Sequence, residues 1–193
     1  MNIRLTALFI GWIAVYAESG FGQSSFGFQN IASGLDAPVF DGGGNRLVGT
    51  NFLAMMYGGP SPDTLAPAVG DHQGLAPAPF TYIVNGLAGY FRDGVAVIPN
   101  VICGGSAWLQ VRAWDARLGS TYDEVVTLGV GGYGESNLFQ AQGGNPCIPI
   151  PTVPGVLIGL QSFNLLPEVP EPKSFLLLFL GLVLLLVRRS RRE

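Results

Sequence analysis

The sequence predicts an all-β protein whose exported body is a single domain of the β-sandwich or jelly-roll-like class. The chain carries 28 glycines and 14 prolines, which is typical of many short strands joined by turns and too many for a helical fold. Its middle part also alternates apolar and other residues with a period of two, most clearly in residues 107–115 (AWLQVRAWD). Seven to nine strands at this spacing indicate a sandwich.

The elements follow in order along the chain. Residues 25–31 (SFGFQNI) predict a first strand with Phe26, Phe28 and Asn30 on one face, and glycine-rich residues 41–45 predict a turn. The largely apolar run 51–57 (NFLAMMY) predicts a strand that is buried on both faces, and the proline-rich stretch 60–79 predicts a long loop. The remaining predicted strands are residues 80–84, 94–98, 107–115, 125–130 and 155–165. A weak helical pattern covers only residues 115–126.

The N-terminal residues 1–22 predict a secretory signal helix. Arg4 precedes an apolar stretch from Leu5 to Val15, which is too short for a membrane span with a stop-transfer end. Cleavage is expected after Ala17 or after Gly22. The alternative is that this stretch forms a buried N-terminal helix of the domain.

The C-terminal residues 168–193 contain three parts in strict order. The triplet Pro170, Glu171 and Pro172 is followed by an apolar run of 13 residues from Phe175 to Val187. As a helix this run spans roughly 20 Å, which is short for a hydrocarbon core about 30 Å thick. Four arginines then close the chain, namely Arg188, Arg189, Arg191 and Arg192. By the positive-inside rule they hold this end in the cytoplasm, so the body upstream is exported.

This tail resembles the PEP-CTERM sorting signal of Gram-negative bacteria, in which a transpeptidase-like membrane protease, the exosortase, acts at the Pro-Glu-Pro site. The resemblance covers about the last 26 residues and departs from the family at Lys173, where a small polar residue is more usual. It implies export by the general secretion machinery, a transient or lasting membrane helix at the inner membrane, and then retention at the cell surface, in the envelope or in the extracellular matrix. The alternative is a C-terminal membrane anchor behind a proline-rich hinge.

Between the two ends lies the predicted ectodomain, residues 23–167. It has four arginines, no lysine and nine acidic residues, a formal charge of −5. This balance argues against nucleic-acid binding, which needs cations to neutralise phosphates. Its two cysteines, Cys103 and Cys147, predict a disulfide because an exported protein meets an oxidising compartment. The alternative is two separate buried thiols.

Residues that could carry catalysis are scarce, so the protein is expected not to be an enzyme and to use neither a metal nor another cofactor. His72, the only histidine, lies in the predicted proline-rich loop and is expected to be a solvated surface group. A Ser-His-Asp site is not favoured, because no G-x-S-x-G elbow is present. Asp123 and Glu124 could form an acid pair, but adjacent strand residues point to opposite faces. The turn 41–45 lacks the alternating carboxylates of a calcium loop.

One group of side chains is a candidate for ligand binding. Trp108 and Trp114, with Arg112 between them, could offer stacking faces to sugar rings if they are exposed. The alternative is that both indoles belong to a core. The sequence therefore favours an exported, non-enzymatic surface or matrix protein, with exopolysaccharide as a candidate partner. The competing hypothesis is a secreted carbohydrate-binding module or a small glycan-active enzyme.

Overall fold

The computed structural model describes residues 23–70 and 76–169. Within them the chain forms fifteen strands, one α-helix and one 3₁₀-helix, so the all-β prediction is confirmed. The first strands are β1 (Gln23–Gln29), β2 (Ile31–Ala32), β3 (Leu35–Asp36), β4 (Val39–Phe40) and β5 (Gly49–Gly59). After the 3₁₀-helix (Pro62–Thr64) come β6 (Ala66–Pro67), β7 (Val69–Gly70), β8 (Ala78–Phe80), β9 (Tyr82–Val84), β10 (Leu87–Tyr90) and β11 (Arg92–Ile102). The last elements are β12 (Ser106–Asp115), α1 (Tyr122–Leu128), β13 (Tyr133–Glu135), β14 (Phe139–Gln142) and β15 (Phe163–Asn164).

The larger sheet is organised around β5 and β12. These two strands pair antiparallel from Trp108 opposite Gly59 to Asp115 opposite Phe52. The strand order is β13-β12-β5-β6, and β14 and β8 pair with β12 and β5 respectively. A smaller sheet has the order β1-β11-β7. Residues that share a face of the larger sheet can therefore be read directly from the β5–β12 register.

A single main core takes side chains from both sheets. In β12, four alternate residues are completely buried, as the sequence pattern predicts; these are Ala107, Leu109, Val111 and Ala113. Phe26 and Phe28 of β1 are completely buried as well. The sheets approach closely at Gly58, where an added Cβ would lie 2.7 Å from the Ile98 side chain and 2.8 Å from that of Leu109. A larger residue at position 58 would require the Ile98 and Leu109 side chains to move.

Asn30 is completely buried and joins its own segment to two others of this core, at Ala37 and at residues 89–91. Its Nδ2 donates to the carbonyl oxygens of Ala37 (2.8 Å) and Gly89 (2.9 Å). Its Oδ1 accepts from the backbone N–H of Phe91 at 2.9 Å. A buried amide is tolerated because it satisfies backbone groups that no strand partner reaches.

Four predicted elements are corrected by the structure. The strand at residues 51–57 is not buried on both faces. Ala54 and Met56 are buried, the residues between and beside them are half-buried, and Asn51 is exposed. The stretch 60–79 is not a plain loop, because it contains the 3₁₀-helix, β6, β7 and the start of β8. In place of a strand at 125–130 the chain forms α1, and in 155–165 only Phe163–Asn164 is a strand. Leu157 and Leu160 of that last stretch are buried in the core from irregular backbone, and Gly159 has a positive φ of 107°.

The two predicted terminal helices lie outside the described residues, as do His72 and its neighbour Asp71. Within residues 23–70 and 76–169, no helix is long and apolar enough to cross a membrane.

Candidate functional site

The outer face of β12 carries the side chains that the sequence singled out for stacking. Trp114 is only 2% exposed, and its Nε1 donates to the carbonyl oxygen of Gly119 at 3.2 Å. Its ring meets that of Tyr122 edge-on, with 6.5 Å between centroids. The condition for stacking on a ligand, an exposed ring, therefore fails at Trp114. Trp108, at the other end of the strand, is half-buried.

Helix α1 covers Trp114, and a local sequence signal explains where the helix forms. The Thr121 side chain accepts from the backbone N–H of Glu124 at 3.3 Å, and Glu124 reaches back to the Thr121 N–H at 3.2 Å. This reciprocal capping box satisfies donors that the first helical turn leaves free. Gly129 ends the helix with a positive φ of 67°. Tyr122 and Val125 are the residues that the helix buries against Trp114.

Asp123 and Glu124, the acid pair considered from the sequence, lie in the first turn of α1, and Glu124 has a structural role there. The Glu124 carboxylate also accepts from the backbone N–H and the hydroxyl of Ser120, at 2.7 and 2.8 Å. These hydrogen bonds from Ser120 and Thr121 hold the pKa of Glu124 below its ordinary value. A general acid needs the opposite shift. The geometry thus supports capping by Glu124 rather than proton donation.

Arg112 lies between two tyrosine rings on the same outer face. Its guanidinium carbon is 4.1 Å from the Tyr57 ring centroid and 5.2 Å from that of Tyr122. Its Nε donates to Gln110 Oε1 at 3.0 Å and lies 3.8 Å from a Glu135 oxygen. Burial, followed by the charge of Glu135, raises the pKa of Tyr122 to about 12. Burial and the charge of Asp123 likewise raise the pKa of Tyr57.

Part of the outer face is not covered by α1. We call Tyr57, Trp108, Arg112 and Gln140 the outer patch. Trp108 lies opposite Gln140 of β14, and Tyr57 lies opposite Gln110 of β12, so the four side chains share one face. Tyr57, Trp108 and Arg112 are half-buried and Gln140 is exposed. The patch therefore combines aromatic surface with amide and guanidinium donors.

At one end of the molecule, Cys103 and Cys147 form the predicted disulfide, with their Cα atoms 6.0 Å apart. Backbone hydrogen bonds hold the same two loops together, since Gly104 N–H donates to the Gly144 carbonyl at 3.2 Å. Asn145 Oδ1 accepts from the Cys147 N–H at 3.0 Å. The bond thus links loops that the fold already brings side by side.

In the turn that begins at Asp41, the Asp41 carboxylate accepts hydrogen bonds from the backbone of the turn itself. Oδ1 of Asp41 accepts from the backbone N–H groups of Gly43 and Asn45, at 2.9 and 2.8 Å. Burial acts against these bonds, but they outweigh it and lower the pKa of Asp41. In the described parts of the chain, no three His, Cys, Asp or Glu residues come together as a metal site would require.

The chain leaves the body through a segment that is hydrogen-bonded on both sides. We call residues 163–169 the exit segment. On one side β15 pairs in parallel with β4, and Leu165 N–H donates to the Phe40 carbonyl at 2.8 Å. On the other side, Leu166 N–H donates to the Tyr133 carbonyl at 2.7 Å, and Val169 N–H donates to that of Val130 at 2.8 Å. The sequence pattern had indicated a strand here but not its two partners.

A charged network lies beside the exit segment. The Asp115 carboxylate is 0% exposed and is held by the Arg117 guanidinium, which is 59% exposed. Burial raises the pKa of Asp115, but hydrogen bonds from the Arg117 side chain and backbone outweigh burial and leave the pKa below its ordinary value. Arg117 also lies 3.5 Å from a Glu168 carboxylate oxygen. A surface cavity of about 330 Å³, whose lining includes Asp41, Phe52, Arg117 and Glu168, adjoins this network.

Comparison with protein families identifies the tail. Residues 168–192 match the model of the PEP-CTERM protein-sorting motif, so the chain carries this motif at its C-terminus. This motif implies an exosortase partner, with export and sorting to the cell envelope or surface. No curated protein and no solved structure matches the chain. The first two matched residues, Glu168 and Val169, still contact the folded body.

Proposed function

We propose that this protein is an exported, non-enzymatic component of the bacterial surface or extracellular matrix, delivered by exosortase processing at Pro170, Glu171 and Pro172. The single observation that carries the proposal is the sorting motif at residues 168–192, which begins where the folded all-β body ends. In this proposal residues 1–22 are a signal peptide. Residues 175–187 form the inner-membrane helix, and the terminal arginines stay in the cytoplasm.

The body has features that suit a structural role outside the cell. The Cys103–Cys147 disulfide fits an oxidising compartment. The carboxylates of Asp41, Asp115 and Glu124 each accept hydrogen bonds within the protein. We further propose that the two main sheets, which share one core, pack as a single β-sandwich. The engagement of these carboxylates in internal hydrogen bonds supports a structural role for the domain.

Processing can be tested by mass spectrometry of the protein made in a host that contains an exosortase. We expect the mature form to end within or next to the Pro-Glu-Pro triplet, and a Glu171→Ala variant to retain its tail. An alkaline phosphatase reporter fused after Val169, in place of residues 170–193, should be active, because that enzyme matures only outside the cytoplasm. An intact tail in mature cells or an inactive reporter contradicts the proposal.

The outer patch supports a second candidate function, binding of a neutral carbohydrate. The half-buried Trp108 and Tyr57 rings could stack on sugar faces, while Gln140 and Arg112 could donate to hydroxyl groups. A glycan array with the mature protein tests this candidate. Trp108→Ala should abolish any binding, whereas Leu87→Ala, at an exposed apolar residue of β10 outside the outer patch, is the control that should preserve it. Binding that survives Trp108→Ala excludes the patch.

A further inference from the structure

The residues immediately before the processing motif are built into the fold of the body. Gly132 N–H donates to the Leu166 carbonyl at 2.9 Å, in addition to the bonds from Leu166 to Tyr133 and from Val169 to Val130. Leu165, between the two sides, is only 3% exposed. The exit segment is therefore an integral strand-like element, and no spacer separates its last bonded residue, Val169, from Pro170.

Three glycines make room for this element. An added Cβ at Gly131 would lie 2.2 Å from the Pro167 carbonyl oxygen, and one at Gly134 would lie 2.5 Å from that of Asn164. At Gly42 it would lie 2.3 Å from the Pro167 Cα. Each of these atoms is backbone, which cannot move aside as a flexible side chain can. The sequence is thus adapted at three separate positions to hold the exit segment against the body.

This docking conflicts with cleavage next to Val169. A protease must hold the chain around its scissile bond in its own site, which requires backbone groups that are not already paired. Here the groups of Leu166 and Val169 are paired with Tyr133 and Val130. Folded segments of this kind are cut from locally opened states, and the rate then follows the population of the open form.

We propose that the folded body gates its own sorting: the C-terminal end of the exit segment, residues 166–169, must detach from residues 130–133 before the exosortase can process the motif. This proposal rests on the proposed function, processing of the chain by an exosortase, and adds a way in which the rate of processing is controlled. Cleavage itself breaks one peptide bond. The acyl carbon passes to water or to an acceptor amine, and the released tail keeps the new amino group.

The test follows conversion of the full-length precursor to the processed form by pulse-chase, in a host with an exosortase. One variant carries a Gly-Ser-Gly-Ser insertion between Val169 and Pro170, which lengthens the chain between the last docked residue and the motif and leaves the docked residues unchanged. The second variant, Gly131→Ala, places a Cβ against Pro167. Both should speed processing by at least about fivefold, the factor that corresponds to one net hydrogen bond. The control carries the same insertion between Ile150 and Pro151, in an exposed loop, and should match the natural chain.

The outcomes separate the two proposals. If the natural chain is processed but the insertion after Val169 leaves the rate unchanged or lowers it, gating is overturned while the sorting proposal stands. If the natural chain is not processed and Glu171→Ala behaves identically, the proposed function is overturned and gating with it. Because the insertion leaves the body's sequence intact, its result stands even if Gly131→Ala fails to fold.

Discussion

Asn30 offers a sharp test of how the core is held together. Replacing it by alanine removes three side-chain hydrogen bonds and leaves three backbone groups without those partners, the carbonyls of Ala37 and Gly89 and the N–H of Phe91. Asn30 is 0% exposed, so water does not replace them easily. Each unsatisfied buried group costs about 1–3 kcal/mol, and carbonyls retain a second lone pair, so we expect a loss of about 3–5 kcal/mol. Whole domains are stable by only about 5–15 kcal/mol.

The measurement is urea unfolding of the body followed by tryptophan fluorescence. The matched control is Asn137→Ala, because Asn137 also donates to a carbonyl, that of Gly159, and accepts from the Gln161 N–H, both at 2.9 Å. These partners lie at the surface, so this change should cost only about 1 kcal/mol. Equal losses for the two variants, or a loss below about 1 kcal/mol for Asn30→Ala, would refute the reasoning.

The Asn30→Asp variant tests the same hydrogen bonds through the pH dependence of the free energy of unfolding. The introduced carboxylate keeps the shape of the amide but faces two carbonyl oxygens without a proton to donate. Burial raises its pKa in the folded state above the value in the unfolded chain. The carboxyl group is therefore tolerated best when protonated, and the destabilisation relative to the natural chain should shrink as the pH falls. A loss that stays constant with pH contradicts the assigned donor roles.

Three further predictions concern other sites. Cys103→Ser and Cys147→Ser should each cost about 4 kcal/mol of unfolding free energy, the loop-entropy value for a separation of 44 residues, and the double variant should cost no more. A larger loss in the double variant refutes this. The pKa of Asp115 is lower in the folded protein than in the unfolded chain. The carboxylate therefore stabilises the fold fully above its unfolded pKa, and this stabilisation is lost as the pH falls through the folded pKa. In the Asp115→Asn variant, the free energy of unfolding should therefore fall less steeply towards acid pH. Trp114→Ala should cost about 3–5 kcal/mol and Trp108→Ala clearly less, as judged by urea unfolding.

Sequence reasoning succeeded where local pattern determines the outcome. The alternation in β12 placed its four small aliphatic residues on the buried face, and Phe26 with Phe28 marked the first strand. It failed where two local signals compete. Residues 125–130 look like a strand by composition, yet the Thr121–Glu124 capping box starts a helix just before them. The pairing of the exit segment with β4 and with residues 130–133 was not foreseen either.

The sequence by itself determined the C-terminal sorting signal of this protein and the all-β class of its body. A proline-bracketed acid, an apolar run and terminal arginines form a linear signal, and composition with a period of two sets the class. Only the tertiary structure decided that Trp114 is buried under α1, that Trp108 stays at the edge of the covered face, and that the chain before the motif is docked. These facts depend on contacts between residues distant in sequence, such as Gly42 with Pro167, and no local pattern encodes which distant segments meet.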